Sequence, residues 1–316
     1  MSPCKRGLAT VVGLVLAGAG LAQPAVSAAE SPAVPPAVAT SARTAADSGK
    51  SVLEIRSSTA GLTAPTTASP GPTTFHVTSS DPASGWISLV RPRPGVTFEQ
   101  FRAVMLKIIN HVSGDVVEGS AELEGTAELL GGTTMHPDLP ATFTQDLSPG
   151  TYWFFDYQNI RETDARHSTL TVSGPAAGRR PVPTATFTAR LVDGQPRWRQ
   201  EGTVRAGRPL RFTNAMPAHQ NVEAIFFPLA AGATEDDVRA YVDRFGPSGE
   251  FPTEPLPTDP VDLNEGTGGL PMVSGRSSEL TLRLHPGRYL LVDFFNDAQD
   301  GSSYLKRGHW KILDVV

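Results

Sequence analysis

The stretch LSPGTYWFFDYQN (147–159) recurs later in the chain as LHPGRYLLVDFFN (284–296). Each copy runs Leu-x-Pro-Gly-x-Tyr into an apolar strand, then Asp, then Asn. The shift is 137 residues, and three other segments share it without a gap. GVTFEQFRA (95–103) aligns with GATEDDVRA (232–240), GGTTM (131–135) with GGLPM (268–272), and Phe75 with Phe212. One offset in four separate places marks an internal repeat.

Each copy reads as short strands with one helix inserted. TATFTARLV, PLRFTN and VEAIFFPL alternate or run apolar, as strands do. Thr97 with Gln100 forms a capping box, followed by Phe98, Phe101, Val104, Met105, Ile108 and Ile109 on one helical face. The second copy repeats this with Thr234 and Asp237, then Val238, Tyr241, Val242 and Phe245. In Leu-x-Pro-Gly-x-Tyr the Tyr hydroxyl is expected to tie the strand back across a Greek-key arch, a tyrosine corner. Tyr152 and Tyr289 are therefore read as structural.

The expected organisation is a signal peptide over 1–28, with Lys5 and Arg6 before an apolar run and Val26-Ser27-Ala28 at the cleavage site. A disordered spacer rich in Pro, Ala, Ser and Thr covers 29–48. The first domain spans 49–174, a linker 175–181, and the second domain 182–316. The single cysteine, Cys4, lies in the signal, so thiolate chemistry and disulfides are excluded from the mature chain. Loss of Lys5 and Arg6 takes the formal charge from −5 to −7, which argues against nucleic acid as a partner. No membrane span is expected in the mature chain. A secreted location and an extracellular ligand or protein partner are expected, and the composition suits a GC-rich bacterial source.

On these motifs the chain resembles the cupredoxin family: the Leu-x-Pro-Gly-x-Tyr hairpin, the helix entry, and the tail DGSSYLKRGHWKILDV (300–315). The resemblance implies an all-β fold of two tandem Greek-key β-sandwich domains. It also implies a copper site of two His, a Cys and a weak Met. Asp293 stands at the Cys position, Ser303 or Asn296 at the second His, and His309 at the Met; His219 lies a few residues before the first His position. In the first copy the counterparts are Asp156, Asn159, and Arg166 or His167. Without a thiolate no blue-copper site is implied.

Two readings of the Asp residues remain open. In one, Asp293, His309 and His219 hold Cu(II) or Zn(II), which accept carboxylate and imidazole. In the other, each Asp is a polar plug, Asp156 on Arg166, and Asp293 on His309, Lys306 or Arg307. No nucleophile elbow, phosphate loop or His-Glu-x-x-His occurs, so an enzyme is not expected. The leading expectation is a non-catalytic binding or scaffold protein with no cofactor. A metal-binding protein and a carbohydrate-active domain that stacks sugars on Trp86, Trp153, Trp198 and Trp310 are the alternatives.

Overall fold

The computed structural model describes residues 52–81, 85–137 and 139–316. The signal peptide and spacer expected over 1–48 lie outside the described residues. The first repeat contains β1 (Val52–Ser58), β2 (Gly61–Thr63), β3 (Thr67–Ala68), β4 (Gly71–Ser79), β5 (Trp86–Pro92), α1 (Phe98–Ile108), α2 (Ser113–Thr126), β6 (Ala127–Thr134), β7 (Ala141–Leu147), β8 (Gly150–Asp156) and β9 (His167–Val172). The second contains β10 (Ala185–Val192), β11 (Gln195–Gly202), β12 (Leu210–Asn214), β13 (Asn221–Pro228), α3 (Glu235–Asp243), β14 (Thr267–Val273), β15 (Ser277–Thr281), β16 (Gly287–Val292) and β17 (Trp310–Val315).

Each repeat is a Greek-key β-sandwich. Its first strand runs parallel to a strand further along, β1 with β4 and β10 with β12, while the other long pairings are antiparallel. The two sandwiches also share their sheets. One sheet has the order β11-β10-β12-β15-β7-β4-β1-β2, the other β17-β16-β13-β14-β6-β5-β8-β9-β3. The seams are β7 with β15 and β6 with β14, all antiparallel. These four strands are two pairs of repeat equivalents, so the halves are related by an approximate two-fold axis through the seams.

Both capping boxes form, Thr97 with Gln100 and Thr234 with Asp237. The buried faces of α1 and α3 are the apolar stripes of the sequence. The first repeat carries one helix more than expected. Its α2 buries only Val116, Gly119, Ser120 and Leu123, too few large apolar groups to mark a stripe. Small residues are needed because the helices touch: a Cβ at Gly119 would lie 2.9 Å from the Lys107 Cβ. Lys107 then reaches Glu118 and Glu122 on α2, both at 2.7 Å.

The core runs through both repeats. Phe75, Phe143 and Phe154 pack together in the first, and Phe187, Phe212 and Phe226 in the second. Both sets belong to one buried cluster. Arg180, in the segment between the repeats, donates to buried Glu279 of β15 at 2.7 Å and to Asp146 of β7 at 2.6 Å. It thereby fastens one of the seams. Both tyrosine hydroxyls meet the backbone four residues upstream: Tyr152 bonds Ser148 N and O, and Tyr289 accepts from His285 N.

Candidate functional site

Asp293 follows β16 and is fully buried. Its Oδ1 accepts the N–H of Phe295 at 2.9 Å and of Glu223 at 3.3 Å. Its Oδ2 lies 2.9 Å from His309 Nδ1, and its own N–H donates to the His309 carbonyl at 3.2 Å. A carboxylate accepts, so the shared hydrogen sits on Nδ1. The imidazole stacks on Trp198 at 4.4 Å and meets the edge of Tyr304 at 5.9 Å. Its Nε2 is buried without a partner among the described residues.

The first repeat builds the same turn. Asp156 is also fully buried, and its Oδ1 accepts from Gln158 N at 3.2 Å, the equivalent of Phe295. Its N–H donates to the Arg166 carbonyl at 3.0 Å, so Arg166 is the structural counterpart of His309. The Arg166 guanidinium stands 3.9 Å from Asp156 and 2.7 Å from Asp81. In each repeat an aspartate closes the end of the sandwich with a local N–H and a basic residue from the next strand.

His219 does not join this cluster. It is exposed, adopts a left-handed backbone at φ 70°, and pairs with Glu124 of α2 at 2.7 Å. Lys306 donates to the carbonyls of Val242 and Asp243, and Arg307 pairs with Asp297, so neither contacts Asp293. Among the described residues, no group of three His, Cys, Asp or Glu side chains comes together as a metal site. Ser303 and Asn296 are buried; the Asn296 amide donates to the carbonyls of Ser248 and Gly301. Met135, Met216 and Met272 are core residues. Trp153 and Trp198 are buried, which leaves no four-tryptophan platform.

The sequence did not single out the cavity that lies where the repeats meet. It measures about 500 Å³ and takes its walls from both halves. Trp86 and Glu223 are repeat equivalents on β5 and β13, and Tyr157 and Phe294 are equivalents too; all four line it. Phe251 adds another ring, and His111 and Arg161 reach the rim. Trp86 and Tyr157 stack at 6.2 Å, and Phe251 and Phe294 lie 5.1 Å apart.

Glu223 is the buried acid of this cavity. It sits where the β13–β14 register shifts, a place where strands re-aim side chains. Its Oε1 accepts from Phe294 N at 3.3 Å. Burial, then the charge of Asp293, pushes its carboxyl up to about 8. Burial and the same acid push the Tyr157 phenol upward, while burial lowers His111, whose Nδ1 lies 3.2 Å from the Ser248 carbonyl. The one signal available in the sequence was the offset itself: Glu223 replaces the tryptophan of the other copy.

No protein-family model matches the chain, and no curated protein matches it. Among solved structures it is similar to reduced auracyanin from the photosynthetic bacterium Roseiflexus castenholzii, at 14% identity and TM-score 0.26, over 43% of this chain and 99% of that one. It is similar to the copper nitrite reductase of Nitrosomonas europaea at 11% identity and TM-score 0.23, over 84% and 93%. A copper-containing nitrite reductase from Thermus scotoductus aligns at 12% identity and TM-score 0.22, over 84% and 61%. The fold assignment here rests on the strand order and registers.

Proposed function

We propose that the chain is a secreted, non-catalytic protein of cupredoxin-like fold that binds an extracellular ligand and has no blue-copper site. The observation that carries this reading is how Asp293 is used. It stands where the resemblance places the copper thiolate, and both its oxygens are engaged within the protein by two N–H groups and His309. Asp156 repeats the arrangement, so the aspartates act as end plugs. A buried carboxylate requires such partners, metal or no metal. With the sandwich ends closed, the aromatic-lined cavity between the repeats is a concave surface suited to a ligand.

The alternative is a cysteine-free Cu(II) or Zn(II) site on Asp293 and His309, favoured by the free Nε2 of His309. Calorimetric titration of the whole chain with both ions separates the two. No saturable binding is expected. One ion per chain, lost in both Asp293→Asn and His309→Ala, would establish the metal site and overturn the proposal.

A further inference from the structure

Glu223 poses a specific problem. Its side chain is buried, yet no Lys, Arg or His pairs with it among the described residues. Its one hydrogen bond comes from Phe294 N to Oε1. Oε2 has no protein hydrogen-bond partner among the described residues, and Glu223 is one of the residues that line the cavity. The nearest charge that acts on it is another acid, Asp293, whose Oδ1 accepts the Glu223 N–H. Phe294 N needs an acceptor, but a carbonyl can serve: in the first repeat its equivalent, Tyr157 N, donates to the Trp86 carbonyl at 2.7 Å. The equivalent position of the first repeat is Trp86, and that residue fits the same strand with an apolar side chain.

Around this carboxyl stand rings. Trp86 stacked on Tyr157, and Phe294 packed against Phe251, line the cavity with Glu223. The faces of such rings carry negative electrostatic potential, and rings beside a carboxylate attract an organic cation more strongly than water-filled space does. We propose that the cavity binds a small organic monocation, a substituted ammonium, with its charge on Glu223 and its apolar substituents on Trp86, Tyr157 and Phe294. This rests on the reading of the chain as a binding protein and names the ligand class.

Three other titratable groups line the cavity: Tyr157, whose phenol burial holds in its neutral form, Arg161 and His111. Arg161 lies on the exposed rim, where its Nη2 donates to the Ile109 carbonyl at 2.6 Å. His111, across from Phe251, is held toward its neutral form by burial. Arg161 would favour an anion at the mouth, but an anion that filled the cavity would lie against Glu223 and, behind it, Asp293. A cation meets the acid and the ring faces together. Its cost is proton release: at neutral pH Glu223 is mostly protonated, and the competent fraction rises tenfold per pH unit until the carboxyl's midpoint.

The test titrates the whole chain with benzyltrimethylammonium, benzyl alcohol and benzoate, followed by tryptophan fluorescence and calorimetry. The cation is expected to bind best, with affinity rising roughly tenfold per pH unit from about pH 5.5 to 7.5 and levelling above 8. Glu223→Gln should weaken it at least tenfold and flatten that pH dependence; a thermal melt checks that the variant folds. The slope in the unsubstituted protein reads the same interaction without any variant. Protonation of His111 would also oppose a cation, but that part of the slope would survive in Glu223→Gln. If benzoate or benzyl alcohol binds as tightly, the cavity is a ligand site and the cation assignment is wrong. If none of the three binds saturably at millimolar concentration, both the assignment and the reading of this cavity as a ligand site fall.

Discussion

Phe143 and Leu280 occupy the same position of the repeat, and they are register partners across the β7–β15 seam. Both are buried to within 1% of full coverage. The approximate two-fold axis therefore passes between them, and each repeat completes the other's sheet.

Phe143→Ala tests this seam. Truncation of a buried Phe costs about 3–5 kcal/mol, because the cavity it leaves cannot fully collapse. Thermal unfolding of the variant should stay a single transition that is lower in temperature. Two separated transitions, with the second repeat melting as in the unsubstituted chain, would show that the halves unfold independently.

Arg180→Ala should destabilise by about 2 kcal/mol or more. Glu279 is fully buried and would keep only Arg211, at 2.8 Å, as a cationic partner. Chemical denaturation measures the loss. Arg199→Ala, which removes only an exposed pair with Glu201, should change stability by a few tenths of a kcal/mol at most.

Asp293→Asn breaks the buried pair with His309 while the side-chain shape is kept. A loss of about 1.5–3 kcal/mol is expected, the scale for a buried hydrogen bond to a carboxylate. Unchanged stability in urea titration would refute the plug role.

Stability should depend on pH through Glu223. Its carboxyl is raised in the folded chain, to about 8 from an ordinary 4.5, so the folded state holds a proton that the unfolded state gives up. The contribution is whole below about pH 4.5 and lost as pH rises toward 8, at up to about 1.4 kcal/mol per pH unit. Urea midpoints at about pH 5, 6.5 and 8 measure it. Glu223→Gln should remove most of the decline over that window; an identical decline in the variant would assign it to another group.

Tyr152→Phe and Tyr289→Phe should cost about 1 kcal/mol each, with the larger loss at Tyr152. The Tyr152 hydroxyl both accepts from and donates to Ser148, whereas a single backbone donor reaches Tyr289. Equilibrium denaturation ranks the two.

The repeat, the strands, both capped helices and the two sandwich-end aspartates could be read from the residues, because each has a local signature: a period, a cap, a turn motif. The residues offer Asp293 three partners, His309, Lys306 and Arg307, and only packing chooses His309. α2 has no signature in the residues, since its buried face places Gly119 and Ser120 between Val116 and Leu123 and so carries no clear hydrophobic period. His219 stands before a strand, near where the resemblance places a ligand, but it has a left-handed backbone and points outward to Glu124. The cavity had no local signature at all. Its walls come from both repeats, from residues as far apart as Trp86 and Asn296, and they meet because the repeats pair through the seams.

Two separate sandwiches would expose a free strand at each end of four sheets. With the sheets joined through the seams, only β2, β3, β11 and β17 are left at an edge among the described residues. Two of these are too short to template another chain, at three and two residues. β11 carries Arg197, Arg199 and Glu201, and β17 carries Lys311 and Asp314. Charged or very short margins resist edge-to-edge pairing between molecules. The duplication thus hides in its own seams the strands most able to aggregate, a safeguard of particular use to a chain with no disulfide to hold it closed.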